Sequence, residues 1–105
     1  MSFHARGHVS DGVATIRVSG ELHARFAGQL NNVITEVTDR HPRRLVLLMG
    51  GLTYLSSAGL RSLVVAHQRL GRDVEMVLVA ARPDVAETIR LTGFDRSVVM
   101  QELAA

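Results

Sequence analysis

Two adjacent hydroxyl side chains, Ser56 and Ser57, occupy the place in this chain where chemistry is most readily built. They follow an apolar run, residues 45–49, that reads as a buried strand, and a Gly50-Gly51 pair expected to turn the chain out of the sheet. They lead into an amphipathic stretch expected as a helix over residues 57–70, ending at Gly71, with Leu60, Leu63, Val64 and Leu70 on one side. A helix N-terminus has unpaired N–H groups and a partial positive charge, so it stabilises a capping oxygen or an anion. A serine at that point either caps the helix or carries a phosphate whose charge the helix end helps to hold. No Glu or Gln follows three residues later, so a reciprocal capping box is absent. Gly59 in the first turn costs roughly 1 kcal/mol of helix propensity relative to alanine. Tight packing, or close approach by another backbone or a partner, would account for it.

Other reactive side chains form no comparable group. The five histidines, His4, His8, His23, His41 and His67, are dispersed, with no His-x-x-x-His pair on an expected helix and no carboxylate spaced to complete a metal set. No metal and no cofactor are therefore expected. His67 falls near the apolar side of the second helix and reads as a satisfied, half-buried residue. Arg40, Arg43 and Arg44 flank Pro42 and read as a solvated turn. Gly50-Gly51 after a strand belongs to no Gly-x-Gly-x-x-Gly motif, and the chain has no lysine for a Walker loop. Ser57 is not in a Gly-x-Ser-x-Gly elbow, and so small a domain leaves little room for a substrate cleft. No catalytic residue is assigned and an enzyme is not expected.

The elements that must position the serines follow from hydrophobic period and punctuation. With 105 residues, 47% of them hydrophobic, the chain is expected to form one soluble domain with a single core over residues 1–105. It contains no cysteine, and no segment approaches the roughly 18 apolar residues of a membrane span. These features, with no signal-peptide core near Met1, lead us to expect a cytoplasmic protein without membrane insertion. A net charge of +2, spread over scattered arginines, argues against nucleic acid. Asp11-Gly12 between alternating stretches (residues 3–9 and 13–18) predicts a hairpin, weakened at Gly7. Phe26, Leu30, Val33, Ile34 and Val37 share one face of a helix expected over residues 24–40, which Pro42 terminates. A third apolar strand is expected over residues 73–80, a short helix from Pro83 to Leu91 ending at Gly93, and a last strand over 97–100. The expected class is α/β, a small mixed sheet of about four or five strands packed with three or four helices through right-handed crossovers.

Gly20-Glu21-Leu22, the strand at 45–49 and the run Tyr54-Leu55-Ser56-Ser57-Ala58-Gly59-Leu60-Arg61 together resemble the STAS domain family, over nearly the whole chain and in the same order of elements. The single-domain members of that family are bacterial anti-sigma factor antagonists. The resemblance implies partner switching: the unphosphorylated protein binds a serine kinase of the ATP-dependent anti-sigma type, which frees the kinase's other client. Phosphorylation of the antagonist ends the contact and a serine phosphatase restores it. In the usual Asp-Ser-Ser/Thr-Gly pattern the acceptor stands two residues before the glycine, which implies Ser57 here. Ser56 stands where Asp is usual, His23 where an acidic residue is common, and Leu48 where Asp or Asn is common. The partner face is expected to join the 20–26 and 50–61 segments, with Glu21, His23, Tyr54, Ser56, Ser57, Gly59, Leu60 and Arg61 as contacts. The alternative is an adaptor or small-ligand sensor of the same fold, in which Ser57 is not phosphorylated.

Overall fold

The computed structural model describes residues 2–103. Strands β1 (Phe3–Ser10) and β2 (Val13–Leu22) form the expected hairpin; Asp11 and Gly12 both take left-handed φ values, 53° and 78°, as a two-residue primed turn requires. Arg43, exposed as expected, also closes this turn: its backbone N–H donates to the Gly12 carbonyl at 2.8 Å and its guanidinium to the Asp11 carbonyl. Arg44 likewise pairs with Glu75 at 3.0 Å. Gly7 does not weaken β1, because the bare Cα lets Val33 and Val37 pack on the strand; a Cβ would lie 2.7 Å from Val37.

The remainder is three strand–helix–strand units. A 3-10 turn (Ala24–Phe26) precedes α1 (Ala27–Thr38), so the first helix is shorter at both ends than the expected 24–40. Strand β3 (Arg44–Leu55) leads to α2 (Ser57–Leu70), β4 (Glu75–Val79), α3 (Pro83–Leu91), a second 3-10 turn (Phe94–Arg96) and β5 (Val99–Gln101). The expected exit at Gly50-Gly51 is corrected here: β3 runs straight through both glycines to Leu55, and neither has positive φ. Gly51 instead allows close approach to β2, where the pairing register shifts between Arg17 and Ser19; a Cβ on Gly51 would lie 2.9 Å from that of Ser19.

The sheet order is β1-β2-β3-β4-β5, antiparallel in the first pair and parallel thereafter. Every crossover moves one strand in the same direction, so right-handed connections put all three helices on one face. Strand register shows which side chains share each face. Gly7, Ile16, Leu47, Leu78 and Met100 are aligned across the sheet toward the helices. There they join Leu30, Ile34, Leu63 and Ile89 in the core. Ile16, Leu47 and Leu78 are fully buried, each contributing about 1.5–3 kcal/mol by leaving water. The next rung, Arg6, Arg17, Leu48, Val79 and Gln101, points the other way. One end of this frame, at the carboxyl ends of β2 and β3, carries the serines.

Candidate functional site

Strands β2 and β3 run parallel to the point where Glu21 aligns with Tyr54 and Leu22 with Leu55, so the segments after both strands emerge side by side. The Ser56 N–H donates to the Leu22 carbonyl at 3.0 Å, locking the start of α2 to the end of β2. Gly20 makes the approach to this point possible. Its φ is +88°, and a Cβ there would meet the Ser2 carbonyl oxygen at 2.1 Å, the same oxygen that accepts the Glu21 N–H at 2.9 Å. The Gly20-Glu21-Leu22 run thus has a local cause: glycine admits the bend that presents Glu21 and His23.

The two serines are placed differently at the helix start. Ser56 is the N-cap: its backbone is extended (φ −79°, ψ 165°) and its Oγ accepts the Gly59 N–H at 3.1 Å. Ser57 is the first helical residue, exposed, and its hydroxyl makes no hydrogen bond among the described residues. No acidic side chain occupies the first turn of α2, so the positive end of this helix has no fixed counter-charge of its own. Ser56→Ala should remove the cap and lower stability by about 1 kcal/mol, read as a lower urea midpoint with unchanged slope; an unchanged midpoint would show that the cap is idle.

Around Ser57 the surface is polar and aromatic. His23 Nε2 lies 3.1 Å from Glu21 Oε1, and the His23 ring stands 4.9 Å from that of Tyr54, tilted by 38°. Tyr54 is 46% exposed, a large ring left in water beside the serine. Arg61, one turn beyond Ser57, is exposed and forms no ion pair among the described residues. A groove runs from Tyr54 and Ser57 past Arg61 and Val64 to Thr88, Thr92 and Phe94.

Two of the expected contact residues lie elsewhere than a contact residue should. Gly59 is buried, because a Cβ there would come within 2.6 Å of Leu22 Cγ and 3.2 Å of Leu55 Cδ1; the glycine serves packing inside the domain. Leu60 is 6% exposed and anchors α2 to the core, with only its edge in the groove. No local sequence signal places Thr88, Thr92 and Phe94 at this site, since only the fold brings α3 and the turn after it beside α2. His67 is half-buried against Phe94, ring edge to ring face at 5.9 Å. Among the described residues no three histidines or carboxylates are placed to hold a metal ion, and no helix is long and apolar enough to cross a membrane.

Comparison with known proteins decides the family. The STAS domain model matches residues 5–104. The chain belongs to the STAS domain family. This STAS domain is 38% identical over 85 residues to BtrV of Bordetella bronchiseptica, a candidate anti-sigma factor antagonist, covering 80% of this chain and 73% of BtrV. It is 30% identical over 87 residues to the anti-sigma-F factor antagonist RsfB of Mycobacterium tuberculosis, covering 83% of this chain and 71% of RsfB. The crystal structure of an anti-sigma factor antagonist from Mycobacterium paratuberculosis superposes with a TM-score of 0.88 at 30% identity, over 95% of this STAS domain and 86% of that chain. The unphosphorylated form of SpoIIAA shares the fold at a TM-score of 0.80 and 17% identity, over 98% and 89% of the two chains.

Proposed function

We propose that this STAS domain is an anti-sigma factor antagonist: a regulator that acts by binding rather than by catalysis, and that works in the cytoplasm. Its partner is an anti-sigma factor with ATP-dependent serine kinase activity, held against Glu21, His23, Tyr54, Ser57 and Arg61. Phosphorylation of Ser57 ends the contact and a serine phosphatase restores it. One observation carries the reading. The neighbouring Ser56 already caps the helix, so the exposed Ser57 hydroxyl has no structural task and stands free at a positive helix end. A phosphate there adds about −1.5 to −2 charges. The domain tolerates that charge because the helix end favours it, whereas a partner interface closed over it suffers desolvation and repulsion. The relatives' names agree with this class of function.

The test is incubation with ATP and the anti-sigma kinase encoded in the same genome, followed by intact-mass analysis. The expected product carries one phosphate, placed on Ser57 by fragmentation and absent from Ser57→Ala. Phosphate on any other residue, or none in the presence of a kinase that binds the protein, removes Ser57 from its role.

A further inference from the structure

The sheet face turned away from the helices carries chemistry that the Ser57 site does not use. Its apolar half is recessed: Val77 and Val79 are buried at 6% and 7% exposure although they lie outside the core cluster, with Val46 and Leu48 half-buried beside them. Its other half is basic. Arg6 and Arg17 stand directly opposite each other on β1 and β2, both exposed, in the same rung as Leu48 and Val79. Like charges so placed repel, and neither arginine has an ion-pair partner among the described residues. The two carboxylates on these strands are already engaged, Glu75 by Arg44 at 3.0 Å and Glu21 by His23 at 3.1 Å. An apolar side chain already borders this face: Leu103 lies at the lip of a hollow formed with Arg17, Ser19, Leu48 and Val79.

We infer that this face docks an acidic, amphipathic segment of a partner protein, its carboxylates meeting Arg6 and Arg17 and its apolar side chains covering Leu48 and Val79. A second copy of the chain fits poorly, because it brings the same two arginines and no free carboxylate from these strands. A lipid surface fits poorly as well, because the valines are sunk between neighbours and cannot enter the acyl region. The proposal is independent of Ser57.

The test is a titration of the full chain, labelled with 15N, with a synthetic peptide alternating glutamate and leucine at low salt. Amide shifts are expected on β1–β4 around Arg6, Arg17, Leu48 and Val79, with Tyr54 and Ser57 unmoved. The pair Arg6→Gln, Arg17→Gln should weaken the peptide about tenfold, since two exposed ion pairs are lost; the single Arg17→Gln serves if the pair is misfolded. The proposal is overturned if the glutamate peptide moves none of these amides, or if a peptide with lysine for glutamate binds as well. It is also overturned if vesicles containing phosphatidylglycerol shift these amides and the peptide does not. Peptide-free association to a dimer that the double variant abolishes overturns it in favour of a second copy.

Discussion

Gly59→Val should lower the stability of the domain by about 3 kcal/mol, at the upper end of the cost of overpacking a core. A first added carbon already lies 2.6 and 2.7 Å from Leu22 Cγ and Cδ2 and 3.2 Å from Leu55 Cδ1, and the two further methyl groups of valine have nowhere to go. Leu22 cannot yield cheaply: it is 1% exposed, and its carbonyl holds the Ser56 N–H. Gly59→Ala is expected to be much milder, about 1 kcal/mol, because the gain in helix propensity offsets part of the clash. Urea unfolding checks both, as a lower midpoint at constant slope; the valine variant should also melt roughly 12–24 °C lower. A valine variant within 0.5 kcal/mol of the parent would show that the sheet and α2 are not tightly engaged at this point. The result matters for function, since the same contact aligns Ser56 and Ser57 with Glu21 and His23.

Ser57→Asp is expected to produce the opposite pattern: binding to the anti-sigma partner weakened at least about hundredfold, with the fold intact. A carboxylate at the first helical position faces unpaired N–H groups with no other acid in that turn, so its effect on stability should lie between zero and about 1 kcal/mol in favour of folding. Enclosed by a partner, an unpaired charge costs several kcal/mol, of which hundredfold in affinity is about 2.7 kcal/mol. Ser57→Ala should bind within a few-fold of the parent, because no internal hydrogen bond of Ser57 is lost. Calorimetric titration and thermal melting, run on the same samples, separate the two effects. Equal affinity for all three proteins would falsify the placement of Ser57 inside the interface. Loss of binding together with a large drop in melting temperature would instead mean that the hydroxyl has a structural task.

Much of this arrangement is legible in the residues taken in order. Asp11-Gly12 specified the hairpin because both positions must adopt left-handed φ. Gly71 and Gly93, again at positive φ, mark where α2 and α3 end, and Pro83 opens the third helix. The alternation Ala14, Ile16, Val18 announced a strand buried on one face. Strand ends are not set by local hydropathy. β3 outran its apolar stretch by six residues, to Leu55, because hydrogen bonding to β2 continues past Gly50-Gly51 whatever the local hydropathy. The first helix likewise begins later than expected: apolar period extends through Phe26, but residues 24–26 wind as a 3-10 turn.

By itself, the order of residues determined the class of fold, the family and the placing of two hydroxyl groups at a helix start, because period, turn residues and capping chemistry act over a few neighbours. Tertiary structure alone decided which serine caps and which is free. That choice depends on the Leu22 carbonyl fixing Ser56, a partner 34 positions away in sequence. It also decided that Gly59 and Leu60 face inward, and that Thr88, Thr92 and Phe94 border the site. Which side of the sheet the helices cover was likewise settled by the crossovers, and with it the exposure of Arg6 and Arg17. Contacts between distant segments arise from strand register and crossover direction, and neither is written in any local stretch of the chain.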